Sequence, residues 1–126
     1  MAGADWKLED DYKTVTLTLR TVPSTVLKFD VAGVEEILKN LGDFRAHMPP
    51  EIPKAFSLGQ KVESVMDPNW VTEPEAMVGN SLLHLRDPRF GWLHYTIPRE
   101  EARKLAEILQ SQVDAPFPGP PRGMAN

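Results

Sequence analysis

The chain has 126 residues with 14 basic and 18 acidic side chains, a net charge of -4 and a hydrophobic content of 41%. This size and composition are those of one ordinary globular domain, which excludes collagen-like, coiled-coil and wholly disordered proteins. Because the sequence has no cysteine, it forms no disulfide, thiolate nucleophile or cysteine-ligated metal site. No apolar run approaches the roughly 18 residues of a membrane helix and no basic leader is visible, so we expect a cytoplasmic protein without a membrane partner.

Residues 15–31 have the hydrophobic alternation of a β-hairpin. A short turn that contains Pro23 separates two runs in which every second residue is apolar. This period of two is typical of strands that bury one face. We therefore predict two antiparallel strands whose inward-facing residues are all odd-numbered: Val15, Leu17 and Leu19 in the first, and Leu27, Phe29 and Val31 in the second.

An amphipathic helix is predicted directly after this hairpin. The apolar residues change to a spacing of three or four, which places them in one stripe along a helix. Asp30 is the candidate N-cap, although Gly33 is a poor helix former. The stripe consists of Val34, Ile37, Leu38, Leu41 and Met48.

A proline-rich connection follows, with Pro49, Pro50 and Pro53 near its start. We assign residues 49–66 to it. A structureless segment of this length is uncommon inside a compact domain. The sequence therefore leaves two alternatives, a path along the protein surface or an additional short strand at Gln60–Val65.

The hairpin and helix patterns then occur a second time. Sliding the chain by 66 residues places the first hairpin on residues 81–97, and sliding it by 68 superimposes the two helices, so one turn differs in length by two residues. A weaker similarity relates Asp5–Glu9 to Asn69–Glu73. The matching residues of the second copy are Leu83, Leu85, Arg86, Leu93, Tyr95 and Ile97 in the hairpin and Ala102, Leu105, Ala106, Leu109 and Val113 in the helix.

This duplication indicates a single α+β domain over residues 1–114. One β-β-α unit has too little apolar surface to fold alone, so the two copies are expected to combine. We predict a two-layer α/β sandwich from a tandem β-β-α repeat, about residues 5–48 and 67–114, with one four-stranded antiparallel sheet and both helices on one face. Residues 115–126 are rich in proline and glycine and are predicted to form a disordered tail.

The turn Asp87–Gly91 determines which side chains face each other in the second hairpin. A four-residue loop would place Asp87 opposite Trp92 and divide the apolar residues between two faces. Burial of each large apolar side chain is worth roughly 1.5–3 kcal/mol, so we assign a bulge that keeps them on one face. That register pairs two sets of residues on the other side of the hairpin, His84 with His94 and Arg86 with Trp92.

The candidate binding face consists of His84, Arg86, Trp92, His94 and Val26. A tryptophan with aliphatic neighbours is typical of a contact surface, and an arginine beside it can stack on the ring or bind an acidic group. The first interpretation is a non-enzymatic protein-binding or regulatory module whose partner is another protein or a second copy of the chain. The alternative is a small-molecule-binding protein or enzyme with a pocket around both histidines and Arg86, in which a histidine acts as acid or base.

Other chemistry is disfavoured by the sequence. The chain has none of the motifs for phosphate binding, dinucleotide binding, serine hydrolysis or zinc proteolysis. Two histidines are too few for a zinc site, so no metal, cofactor or catalytic residue is assigned. Ser81 and Asp87 lie on the strand face opposite His84, which excludes a catalytic triad. The lysines and arginines form no basic stripe, so no nucleic-acid partner is expected.

Overall fold

The computed structural model describes residues 3–117 and residue 119 of the chain. It has an α+β architecture in which three strands and a helix are followed by three more strands and a second helix. The predicted duplication is therefore confirmed, with β-β-β-α rather than β-β-α as the repeating unit. The elements in chain order are β1 (Ala4–Leu8), β2 (Val15–Leu19), β3 (Thr25–Phe29), α1 (Val31–His47), β4 (Trp70–Pro74), β5 (Ser81–Asp87), β6 (Gly91–Ile97) and α2 (Arg99–Asp114).

The six strands form two three-stranded antiparallel sheets, one in each of the two compact units into which the chain divides after Val62. The strand orders are β1-β2-β3 and β4-β5-β6. The prediction of one four-stranded sheet is wrong, because each hairpin is completed by the strand that precedes it in the chain. Strands that are close in sequence pair readily, since closing a short loop costs little chain entropy. Most of the predicted tail, residues 118 and 120–126, lies outside the described residues.

The strand that the prediction omitted is the first of each unit, β1 or β4. Both lie in the segments whose similarity between the copies is weakest. β1 overlaps Asp5–Glu9, and β4 overlaps Asn69–Glu73. β1 alternates apolar Ala4, Trp6 and Leu8 with charged Asp5 and Lys7, but this strand pattern covers only 5 residues, and β4 shows no such alternation. The alternative strand at Gln60–Val65 is not formed, since these residues have no regular secondary structure.

The strand pairing shows that the two-residue difference in length between the copies lies in the hairpin turn. Leu17 lies opposite Leu27 in the first unit, whereas Leu83 lies opposite Tyr95 in the second. Leu27 and Tyr95 are therefore equivalent and are 68 residues apart, like the helices, while Leu17 and Leu83 are 66 apart. The shift by 66 residues, which places Leu27 on Leu93, is therefore wrong by two residues in the second strand of the hairpin. A pattern that repeats every two residues does not distinguish these alignments.

The two helices begin in different ways. The Asp30 carboxylate accepts a hydrogen bond from the Gly33 backbone N–H at 2.9 Å, which confirms the predicted N-cap of α1. Pro98 occupies the N-cap position of α2 and makes no side-chain capping hydrogen bond. Glu100 and Glu101 lie in the first turn of α2, where their charges complement the positive end of the helix dipole.

The two sides of the second sheet differ, and α2 lies along one of them. No hydrophobic residue that the structure describes is fully buried, and Asp87 is the one buried polar residue among them. The apolar stripe of α2 faces the side of the sheet that carries Leu83 and Leu85, across a cavity of about 470 Å³. We call this side the inner face, and the side that carries His84 and His94 the outer face.

The β5–β6 turn requires a residue that tolerates a positive φ at position 91. Gly91 has a φ of +80°, and a Cβ added there would meet no atom within 4 Å. We expect Gly91→Ala to lower the free energy of unfolding by about 1–2 kcal/mol, through backbone strain alone. Urea denaturation followed by circular dichroism measures this change.

The matched control for Gly91→Ala is Gly42→Ala in α1. A Cβ added at Gly42 also meets no atom within 4 Å, but the backbone there is helical. We expect this change to raise the free energy of unfolding by up to about 1 kcal/mol, because alanine is a better helix former. Equal effects of the two substitutions would contradict our account of the turn.

Candidate functional site

Four residues of the predicted binding face lie together on the outer face of the β5–β6 hairpin. His84 is directly opposite His94, and Arg86 is directly opposite Trp92. The register that we predicted from the burial of apolar residues is therefore confirmed. Because alternate strand residues share a face, all four side chains project from the same side of the sheet.

The fifth residue, Val26, lies on β3 of the first unit, opposite Thr18. The registers of the two copies make Thr18 equivalent to His84, and Val26 equivalent to His94. The first unit thus has a hydroxyl and an apolar side chain where the second has two imidazoles, so the fold itself does not require histidine at these positions. The prediction that Val26 and Trp92 share a face depended on the single four-stranded sheet. The role of Val26 in binding stays a prediction.

A row of hydrogen bonds runs through both histidines of the outer face. The Nδ1 atoms of His84 and His94 are 2.7 Å apart, and the two rings meet edge to face at an interplanar angle of 72°. On its other side, Nε2 of His84 lies 3.2 Å from Oε1 of Glu73. The His84 side chain is only 19% exposed, so these two partners replace much of its contact with water.

This arrangement constrains where the imidazole protons lie. A carboxylate oxygen only accepts hydrogen bonds, so His84 donates to Glu73 through Nε2. When both rings are neutral, Nδ1 of His84 must accept the hydrogen bond that Nδ1 of His94 donates. Nε2 of His94 then has a free lone pair, which can accept a proton or bond to a ligand.

Glu73 is a site residue that the sequence analysis did not identify. It lies on β4, two residues after Val71, which is directly opposite His84. Alternation along the strand therefore places the Glu73 side chain on the outer face, beside His84. The sequence contained one signal for Glu73, which is the weak similarity of Asn69–Glu73 to Asp5–Glu9. If Asn69–Glu73 had been assigned as a strand beside β5, alternation would have placed the Glu73 side chain on one face of the sheet.

Arg86 borders a polar cavity of about 400 Å³. Two arginines and Pro88 form one wall of this cavity, and residues 63–69 form the other. Neither His84 nor His94 is among its lining residues. The structure therefore places Arg86 beside the two histidines on the sheet. Of these three predicted pocket residues, only Arg86 lines the cavity.

Asp87 holds the turn that sets the register of the site. Its carboxylate accepts hydrogen bonds from the backbone N–H groups of Arg89 and Phe90, at 2.7 and 3.3 Å. The Arg89 guanidinium lies 3.4 Å from Oδ2 of Asp87 and donates a hydrogen bond of 2.9 Å to Glu63. The backbone hydrogen bond from Arg89, followed by that of its side chain, lowers the pKa of Asp87 below its ordinary value.

No metal centre is indicated in the described part of the chain. Among residues 3–117 and 119, no three His, Asp or Glu side chains are arranged to hold an ion. Glu73, His84 and His94 are joined in a row, so their nitrogen and oxygen atoms bond to each other instead of converging on a common point. This arrangement suits proton transfer or hydrogen bonding to a ligand better than coordination of a metal.

Comparison with other proteins gives no functional assignment. No known protein family, curated protein or solved structure is detectably similar to this chain. In the part of the chain that the structure describes, neither helix has both the length and the apolar character needed to cross a bilayer. A functional proposal for this protein therefore depends on the geometry of its own residues.

Asp87 should make stability depend on pH in the acidic range. Its pKa is lowered in the folded protein from the ordinary value of 3.8, so the ionised carboxylate stabilises the fold above pH 3.8. That contribution is lost as the pH falls through the folded-state pKa. We expect Asp87→Asn to lower the urea midpoint at neutral pH, and the difference from wild type to shrink as the pH falls below 3.8.

The control for this pH series is Asp10→Asn, which removes an exposed carboxylate from the first unit. We expect its urea midpoint to stay close to that of the wild type, because exposed carboxylates contribute little to stability. A difference between Asp87→Asn and wild type that stays constant from neutral to acidic pH would show that the Asp87 charge does not hold the turn.

Proposed function

We propose that this protein is a non-enzymatic binding or regulatory module that contacts another protein through its outer face, around Trp92. The observation that carries this proposal is the cross-strand pair of Arg86 and Trp92. Tryptophan and arginine are the residue types that dominate the energetics of protein interfaces. Trp92 is 43% exposed, so a partner can reach its ring.

The ordered backbone around this pair supports the proposal. β5 is hydrogen-bonded on both sides, to β4 and to β6, and the Asp87 carboxylate bonds the turn between β5 and β6. A surface that is already ordered loses little conformational entropy when a partner binds. The Arg86 guanidinium favours a partner that presents a carboxylate, since it can donate two parallel hydrogen bonds to such a group.

A second copy of the chain is one partner within this proposal. A twofold contact brings the same patch of both copies together. Arg86 of one copy would then lie against Trp92 of the other, where a guanidinium over an indole ring gains a cation–π interaction. The homodimer and the complex with a different protein use the same two residues.

The proposal predicts that binding depends on Trp92. We expect Trp92→Ala to weaken capture of the partner at least tenfold, because loss of a central interface tryptophan costs roughly 2 kcal/mol or more. Affinity purification followed by quantitative mass spectrometry identifies the partner. Isothermal titration of the purified pair then measures the change in Kd, and circular dichroism checks that the variant is folded.

The matched control is Trp6→Ala, which removes an exposed tryptophan from β1 of the first unit. This variant should retain the partner at wild-type affinity. A partner, or a second copy, that binds wild type and Trp92→Ala equally well would refute the role of the outer face.

A second candidate function, a small-molecule-binding protein or enzyme, is favoured by the row of Glu73, His84 and His94. A carboxylate that orients an imidazole is a recurring arrangement in acid–base catalysis. In this candidate function, Nε2 of His94 accepts a proton from the ligand and Arg86 holds an anionic group. We rank it second because neither histidine lines the cavity beside Arg86.

The row of hydrogen bonds predicts the tautomer of each imidazole. When both rings are neutral, we expect the His94 proton on Nδ1 and the His84 proton on Nε2. Long-range ¹H–¹⁵N correlations in NMR spectra report which nitrogen is protonated. Glu73→Gln should redistribute the tautomers, because an amide donates as well as accepts hydrogen bonds.

Glu63→Gln is the control for the tautomer measurement, since Glu63 contacts Arg89 and not a histidine. Tautomers that are unchanged in Glu73→Gln would show that the carboxylate does not orient the rings. Addition of inorganic phosphate to the wild type separates the two functions. Histidine resonances that do not respond to phosphate would count against the small-molecule site and leave the protein-binding proposal unaffected.

A further inference from the structure

One ring nitrogen of the histidine pair on the outer face is still available to a proton. Nε2 of His84 donates to Glu73, and the Nδ1 atoms of His84 and His94 share a hydrogen bond of 2.7 Å. Nε2 of His94 forms no hydrogen bond with any of residues 3–117 or with residue 119, and His94 is exposed. A proton from water therefore adds to the pair at this atom.

A proton on Nε2 of His94 leaves the whole row of hydrogen bonds intact. The His94 ring becomes a cation and still donates from Nδ1 to His84. A hydrogen bond from an ionised donor is roughly twice as strong as one between neutral groups. His84 stays neutral and continues to donate to Glu73. The pair thus accepts one proton without any movement of the rings.

A second proton has no place in this arrangement. It would have to bind Nδ1 of His84, because the other three ring nitrogens already carry hydrogen. Both Nδ1 atoms would then be donors at a separation of 2.7 Å, and two donors do not share a hydrogen bond. Two imidazolium charges side by side also disfavour each other. The pair therefore holds a single positive charge as long as the rings stay in contact.

Few other charged groups lie beside the pair. Among the three strands of this sheet, β4 contributes Glu73 to the outer face and β5 contributes Arg86. β6 contributes only His94 itself, since Asp87 and Tyr95 alternate to the inner face, along which α2 also lies. The charges of Glu73 and Arg86 offset each other. The outer face is therefore neutral while both histidines are neutral, and it has one positive charge once His94 is protonated.

We propose that protonation of His94 raises the affinity of the outer face for an acidic segment of a partner protein, so that binding strengthens as the pH falls. Arg86 and His94 are diagonal neighbours across β5 and β6. Such positions are roughly 7–8 Å apart, a distance that long side chains bridge. The guanidinium and the protonated imidazole can thus both donate to carboxylates of one segment, next to Trp92. This regulation rests on the proposed function, because it acts on the same contact surface.

A second copy of the chain fits this change of charge less well than an acidic partner. In a twofold contact the outer faces of both copies meet, so the protons that they take up would add like charges to one interface. Such a dimer would weaken in acid. An acidic segment, in contrast, gains attraction from the added positive charge. The direction of the pH dependence therefore separates the two kinds of partner.

The position of the proton is tested by NMR on the full chain between about pH 8 and pH 5, the range in which histidine changes charge. We expect His84 and His94 together to take up one proton, on Nε2 of His94. His47 lies on α1, outside the row, and is the internal reference. Two protons taken up by the pair over the range in which His47 takes up one would refute the arrangement. This measurement needs no variant.

The effect on binding is tested with an acidic probe, a hexa-aspartate peptide blocked at both ends. The chain has a net charge of -4, so most of its surface repels such a peptide, and binding reports a local positive site. Isothermal titration should give a Kd that is roughly threefold or more lower at about pH 5.5 than at about pH 8. A factor of this size is expected from one added charge at an exposed site.

The matched variants are His94→Asn and His47→Asn, each of which removes one histidine. We expect His94→Asn to lose the pH dependence of peptide binding and His47→Asn to retain it, with circular dichroism to check that both variants are folded. A wild-type affinity that is unchanged or lower in acid would contradict the proposal. So would a pH dependence that survives in His94→Asn.

Failure of this inference is distinguishable from failure of the proposed function. A natural partner that requires Trp92 but binds equally well at both pH values would support the proposed function and refute the regulation. A partner that binds Trp92→Ala as well as wild type would refute the proposed function, while the NMR and peptide measurements still decide the charge of the outer face. A second copy that dissociates in acid would identify a homodimer contact and rule out the acidic partner.

Discussion

The register of the β5–β6 hairpin is the constraint on which the outer face depends. The Asp87 carboxylate bonds two backbone N–H groups of the turn, and Gly91 supplies the positive φ with which the turn ends. Because side chains alternate along a strand, a slip of one residue would place His84 and His94 on opposite sides of the sheet. The bond between the imidazoles and the pairing of Arg86 with Trp92 both follow from this turn.

The two sides of the second sheet have opposite chemical character. The inner face and α2 enclose a groove of apolar side chains with no charged residue in its described lining. The outer face carries two imidazoles, a guanidinium, a carboxylate and an indole. A mixed polar and aromatic surface suits recognition of a partner. One three-stranded sheet carries both kinds of surface because its side chains alternate.

The comparison of the two copies shows which features belong to the fold and which are specific to the second unit. Thr18 and Val26 form the cross-strand pair that is equivalent to His84 and His94. Arg20, the counterpart of Arg86, forms a salt bridge of 2.8 Å with Asp5 on β1, and the hydrogen bond and charge of Asp5 raise the Arg20 pKa. Both copies therefore build the same hairpin, and only the second carries the histidines that make it a candidate site.

The sequence by itself determined the two hairpins, the two helices, the Asp30 cap and the pairing of His84 with His94. These features depend on short-range periodicity and on the chemistry of single turns, which a local pattern contains. Tertiary structure alone decided that β1 and β4 complete separate three-stranded sheets, and that Glu73 bonds to His84. β4 shows no alternation of apolar and polar residues and that of β1 covers only 5 residues, so a local pattern does not specify which strands they pair with. For the same reason, the apolar groove beneath α2 became visible only once the helix and all three strands were placed together.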